Sequence, residues 1–189
     1  MCNPNIFIFH GAYGYPQENW FPWLQQKIIA SSRMCYVPAF PTPENQHLEG
    51  WFEAFQQNDA YAITSQTILI GHSLGAVFLL RLLERYHIEV KTSILVGAFL
   101  GKIGIEKFDS INESFFQQSF DWARIKSRSK QIICYDGNDD PYVSPVMFDF
   151  IADQLGAVKV IISQGGHLNL PAGYETFPQL WRQLEPMMR

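Results

Sequence analysis

The residues with the clearest chemical potential are Gly71, Ser73 and Gly75, set in the run Ile68-Leu69-Ile70-Gly71-His72-Ser73-Leu74-Gly75-Ala76. An apolar, strand-like stretch feeds Gly-x-Ser-x-Gly, and an apolar, helix-like stretch leaves it. This layout predicts a nucleophile elbow, a sharp strand-to-helix turn that lifts a serine hydroxyl off the edge of a sheet. The serine backbone is strained in such a turn. Its neighbours at minus two and plus two must lack side chains so that strand and helix can approach. A chain of this length matches the three fixed positions by chance about once in fifteen to twenty cases, so the flanking pattern carries the inference.

A serine hydroxyl attacks a carbonyl carbon only when a base takes its proton, and a carboxylate must orient that base. Behind an elbow of this kind the order along the chain is Ser, then Asp or Glu, then His. Of five histidines, His10, His47 and His72 precede or abut the serine, and His87 ends the helix leaving the elbow. His167 remains, after the strand-like run Val158–Ile162 and the turn Ser163-Gln164-Gly165-Gly166. The acid is expected at the end of the preceding strand, where Asp136, Asp139 and Asp140 compete. Such a cluster could also be a solvated turn or a divalent-ion site, but matching ligands are missing elsewhere in the chain. Two backbone N–H groups must stabilise the oxyanion of a tetrahedral intermediate. One is expected from Leu74 at the start of the helix, the other from Ala12 after the exit His10-Gly11 of the first strand.

Elements that could position these groups alternate along the chain. Asn5–Phe9, Met34–Val37, Thr67–Gly71, Thr92–Gly97, Gln131–Tyr135 and Val158–Ile162 read as strands, short and nearly all apolar, as in a parallel sheet covered on both faces. Helices are predicted over Asn19–Ile29, around Leu48, Trp51, Phe52 and Phe55, and over Leu74–Tyr86, with Arg81, Glu84 and Arg85 on one polar face. Another runs from the cap Ser144 to the stop Gly156, with Met147, Phe150, Ile151 and Leu155 inward, and Glu175–Leu184 closes the chain. The rhythm predicts an α/β domain over residues 1–189, with a mostly parallel sheet of about six strands flanked by helices. Its site belongs beyond the carboxyl ends of the strands. The longest break, Ala98 to Ser129, holds Phe99, Leu100, Phe108, Phe115, Phe116, Phe120 and Trp122. It is open to two readings, a small lid or pocket wall and a core-packing helix.

Composition narrows the partners. The 189 residues are 47% apolar with a net charge of -4. Without a basic stripe, nucleic-acid binding has no electrostatic basis. No stretch approaches the ~20 apolar residues of a membrane span, and the N-terminus lacks the pattern of a secretory signal. Cys2, Cys35 and Cys134 are an odd count without metal-ligand spacing. Buried thiols in a cytoplasmic protein are the expectation.

Together these residues resemble the α/β-hydrolase superfamily, and within it the small, minimal-fold serine hydrolases of the retinoblastoma-binding-protein-9 and YdeN type. The likeness runs almost end to end. It rests on Gly71-His72-Ser73-Leu74-Gly75, Asn19-Trp20-Phe21-Pro22-Trp23-Leu24, Asp139-Asp140-Pro141 with Val143, and Gly165-Gly166-His167. Gly137-x-x-Asp140-x-x-Val143 resembles the superfamily's acid turn and selects Asp140 among the three aspartates. The resemblance implies a Ser73–Asp140–His167 triad, no large cap domain and no cofactor. It also implies a small-molecule acyl ester, or an amide, as substrate. One departure is Ser144, where a proline often follows the valine. The animal relatives' Leu-x-Cys-x-Glu motif is absent. Its nearest echo, Ile132-x-Cys134-x-Asp136, reads as buried strand. A silent hydrolase fold acting by partner binding, or an acyltransferase using the same acyl-enzyme, would share most of these features.

Overall fold

The computed structural model describes residues 5–57 and 63–188; Cys2 lies outside the described residues. Its strands are β1 (Asn5–Phe9), β2 (Met34–Tyr36), β3 (Ile68–His72), β4 (Val90–Val96), β5 (Ser129–Gly137) and β6 (Val158–Ile162). All pair in parallel, in the order β2-β1-β3-β4-β5-β6. The helices are α1 (Phe21–Ala30), α2 (Leu48–Gln56), α3 (Leu74–Arg85), α4 (Glu106–Asn112), α5 (Trp122–Ser127), α6 (Pro145–Leu155) and α7 (Pro178–Leu184). This is a minimal α/β-hydrolase fold without a large cap. Every strand runs the same way, so all carboxyl ends open onto one edge, with β3 near the middle.

Alternation along the strands divides the interior into two layers. Phe7, Phe9, Leu69, Leu95 and Cys134 face α2, α3, α5 and α6. Ile6, Ile8, Ile70, Ile94, Val96 and Tyr135 face α1 and α7. The first layer is densely aromatic. Phe40 stacks on Trp51 with centroids 4.4 Å apart, and Phe78 meets Phe40 at 4.9 Å and Phe9 at 5.4 Å. Each such ring stabilises the fold by about 1.5–3 kcal/mol through burial alone.

Three expectations need correction. In α6 the buried stripe is Phe148, Ile151, Ala152 and Leu155, and Phe150 is 47% exposed. Ser144 caps the helix by accepting from the Met147 N–H at 3.2 Å. That phase turns Phe148 inward, while Phe150 borders Trp122 at 6.0 Å. Arg81 is not on a solvated face but 4% exposed. Its guanidinium donates to the carbonyls of Phe115 and Gln118 and pairs with Glu84 at 2.6 Å. Finally, β6 is an edge strand, with Val158 and Ile161 more than half exposed.

The long break after β4 combines both of its readings. Phe99 and Phe115 are buried in the core. Phe99, Ile103, Ile105 and Phe108 also line the cleft above the sheet edge.

Candidate active site

Ser73 joins β3 to α3 with φ 55° and ψ -123°, a left-handed backbone that a non-glycine residue adopts only when its surroundings enforce it. A Cβ on Gly71 would lie 2.5 Å from the Ala76 Cα, and one on Gly75 would lie 2.2 Å from the Phe9 carbonyl oxygen. Both distances are impossible for real side chains, so the strand–helix crossing depends on these two glycines. The Ser73 N–H donates to the Val96 carbonyl at 2.8 Å, tying the turn to β4.

The structure brings Ser73, His167 and Asp140 together. Nε2 of His167 lies 2.9 Å from Ser73 Oγ, and Nδ1 lies 2.7 Å from Asp140 Oδ2. Asp140 Oδ1 accepts from the N–H groups of Tyr142 and Val143 at 2.8 and 3.0 Å. Burial pushes the Asp140 carboxyl up. The hydrogen bond and charge of His167 and the two backbone donors outweigh that push and hold it below its ordinary value. It is a carboxylate at neutral pH.

The other two aspartates have separate places. Asp139 Oδ1 accepts from the Gly166 N–H at 2.8 Å. Asp136, the penultimate residue of β5, is 3% exposed and hydrogen-bonded to Asp140. Burial, then the Asp140 charge and that hydrogen bond, push its carboxyl up to about 9. It is therefore a neutral acid at pH 7, able to donate to the Asp140 carboxylate.

The loop carrying His167 is clamped along its length. Asn138 Oδ1 accepts from the Gln164 N–H at 2.8 Å. Trp20 Nε1 donates to the Leu168 carbonyl at 2.9 Å, and Asn19 Oδ1 accepts from the Leu170 N–H at 2.8 Å. His72 Nε2 donates to the carbonyl of His167 itself at 2.9 Å. Burial, followed by the proximity of His167, lowers the His72 imidazole to about 3, so it stays neutral. Tyr142 meets the His167 ring edge-on at 4.9 Å. Gly97 makes room for that ring: a Cβ there would sit 2.9 Å from its Cε1.

None of these supporting roles was read from the sequence. The Trp20 block was visible as a motif, and Asn138 and Asp139 directly precede Asp140. The place of His72 in the chain argues against it as the base and gives no sign of its hold on the His167 carbonyl.

On the far side of Ser73, Ala12 lines the cleft, and a Cβ on Gly11 would lie 3.1 Å from the Ser73 Cβ. Leu74 is the first residue of α3, whose N–H has no acceptor within the helix. The Ala12 loop is held from below by His10, whose Nδ1 donates to the Gly11 carbonyl and whose Nε2 accepts from the Phe40 N–H. Tyr13 N–H donates to Gln46 Oε1 at 3.2 Å, Gln46 Nε2 to Asn112 Oδ1 at 2.6 Å, and Asn112 Nδ2 to the Phe108 carbonyl at 2.9 Å.

Among the described residues no three His, Cys, Asp or Glu side chains gather as a metal site requires. No helix there is long and apolar enough to cross a membrane. The arrangement is suited to proton transfer from an alcohol through an imidazole, beside an apolar cleft.

The chain is similar to known proteins along nearly its whole length. The chain is 26% identical to YdeN of Bacillus subtilis over 175 residues, covering 92% of this chain and 90% of that protein. It is 25% identical over 192 residues to the serine hydrolase RBBP9 of Rattus norvegicus, covering all of both. The crystal structure of the B. subtilis ydeN product superposes with a TM-score of 0.88, over 97% of this chain and 98% of that one. Residues 6–186 match the family model described as serine hydrolase. The chain is a hydrolase and belongs to the serine hydrolase family.

Proposed function

We propose that the protein cleaves small acyl esters, and amides of similar shape, through an acyl-Ser73 intermediate. The observation that carries this reading is the continuous contact Asp140 Oδ2–His167 Nδ1 at 2.7 Å and His167 Nε2–Ser73 Oγ at 2.9 Å. Ser73 Oγ bonds to the carbonyl carbon as its proton passes to His167 Nε2. The negative charge moves to the carbonyl oxygen, where the Ala12 and Leu74 N–H groups receive it. Collapse of this intermediate breaks the bond to the leaving oxygen, which takes the proton from His167. Water then attacks the acyl carbon, again giving a proton to His167, and the acid departs as Ser73 regains its hydrogen. Asp140 holds the imidazole in the tautomer that leaves Nε2 free to accept, and it stabilises the imidazolium. No cofactor is needed for either step.

A fluorophosphonate probe tests this directly. Ser73 is expected to carry the label, Ser73→Ala to abolish it, and turnover of p-nitrophenyl butyrate to fall by about 10⁴–10⁶-fold in that variant. Labelling that persists in Ser73→Ala would overturn the assignment.

A further inference from the structure

The cleft above Ser73 has a volume of about 320 Å³, at the small end of ligand pockets. Its two walls differ in chemistry and come from different parts of the chain. One is the segment after β4. Phe99 and Phe108 meet at 5.8 Å, and Phe108 continues to Tyr13 at 6.3 Å. The N–H groups of Ile103 and Gly104 bind the Asp109 carboxylate at 2.8 and 3.0 Å, which fixes the turn that presents Ile103 and Ile105 to the cleft. Ile105 is 49% exposed, an apolar side chain at the cleft with little covering it.

The polar part of the lining is Glu18, Asn19 and Asn169, beside Pro171 and the phenols Tyr13 and Tyr142. Asn19 Oδ1 is taken by the Leu170 N–H and Asn169 Oδ1 by the Ala172 N–H, at 2.8 and 3.2 Å. These contacts fix the orientation of both amides, because an N–H must meet an oxygen. Each NH₂ is then the group left to donate. The Glu18 carboxyl lies over Gly14, where a Cβ would be 2.4 Å from its Oε1. Burial raises this carboxyl to about 7 against a hydrogen bond from Tyr15, so near neutral pH it can both donate and accept. Among the described residues no salt bridge reaches it.

The direction of proton flow orients a substrate between the walls. The leaving oxygen must reach His167 Nε2, and Asn169, two residues further on, lines the same cleft with its NH₂ left to donate. The acyl group is then left to the apolar lining of Phe99, Ile103, Ile105 and Phe108, none of which has a hydrogen-bonding side chain. A hydroxylated group placed there would lose its water without replacement.

We infer that the substrate is an ester of an apolar acyl group with a compact, hydroxyl-bearing alcohol, the alcohol facing Asn19, Asn169 and Glu18. This rests on the acyl-Ser73 reading above and narrows it to a substrate class.

The experiment compares kcat/KM for glyceryl monobutyrate and propyl butyrate, which share the acyl group, and for glyceryl monoacetate against the monobutyrate. Wild type is expected to favour glyceryl over propyl by about ten-fold or more, because a site that binds hydroxyls penalises an analogue lacking them. Glu18→Leu and Asn169→Ser, the second of which retains a capping oxygen, are expected to bring that ratio towards one while keeping the butyrate-over-acetate preference. Ile105→Asn is expected to do the reverse. Propyl butyrate cleaved as well as the glyceryl ester, or Asn169→Ser altering acyl preference alone, would overturn the inference while fluorophosphonate labelling of Ser73 persisted. Loss of both labelling and all ester turnover in wild type would overturn the acyl-serine reading itself.

Discussion

The loop that carries His167 and the segment that forms the apolar wall are held in opposite ways. The loop, from Gln164 to Leu170, sends Leu168 into the core and is hydrogen-bonded along its length by Asn138, Asp139, His72, Trp20 and Asn19. The wall segment is packed chiefly by its rings, with polar anchors at the Asp109 turn, Arg81 and the Gln46–Asn112 amide pair. Proton transfer requires positions fixed to a fraction of an ångström, and directional bonds supply this. A surface that only shapes an apolar group can rely on packing.

If that division holds, damage to the loop should appear in rate and damage to the wall in stability. The largest effect is expected from Asp140→Asn, which keeps the shape but offers the wrong hydrogen-bonding pattern to Nδ1. A loss of about 10⁴-fold in kcat with a nearly unchanged melting temperature is the outcome to look for. Arg81→Ala removes the partner of the buried Phe115 carbonyl, of the Gln118 carbonyl and of Glu84. It is expected to cost about 2–4 kcal/mol in denaturant unfolding, while the folded protein still labels with a small fluorophosphonate. Trp20→Phe keeps one aromatic ring but removes the pyrrole half of a fully buried indole, and with it one donor to the loop. A stability cost of about 2–3 kcal/mol is expected from the lost hydrogen bond and the cavity together, with kcat reduced several-fold and KM little changed, as steady-state kinetics would reveal.

The smallest effect concerns pH. The native Asp136 carboxyl is raised from 3.8 to about 9. Between those values the native state holds a proton that the unfolded chain has released, so stability declines as pH climbs through that window. Asp136→Asn cannot lose a proton but can still donate to Asp140. Its melting temperature is expected to fall less than that of wild type between pH 5 and pH 9. An identical slope in both proteins would show that Asp136 does not titrate in this way.

Much of the architecture was legible because parallel, doubly covered strands leave short apolar runs, and five of the six kept nearly their expected bounds. Ser73 and His167 were legible because each follows a strand end beside glycines, whereas position alone left three aspartates in play and only the resemblance of the Gly137–Val143 turn singled out Asp140. Other features were not. Arg81 looked like a surface residue because nothing local announces that carbonyls from residues 115 and 118 will reach it. The phase of α6 depended on its capping residue, and a shift of one position exchanges Phe148 for Phe150. Asp136 looked like a strand end. Its proton depends on Asp140, four residues later, folding back over it.

The relay from Tyr13 through Gln46 and Asn112 to Phe108 couples the lip of the catalytic pit to its greasy side. Each amide has one usable orientation, so the three links cannot shift independently. A guest too broad for the apolar wall would press on Phe108 and, through two buried amides, drag the peptide next to Ala12. Oversized acyl chains should therefore be turned away during bond making as well as during entry, and size selection would be written into kcat.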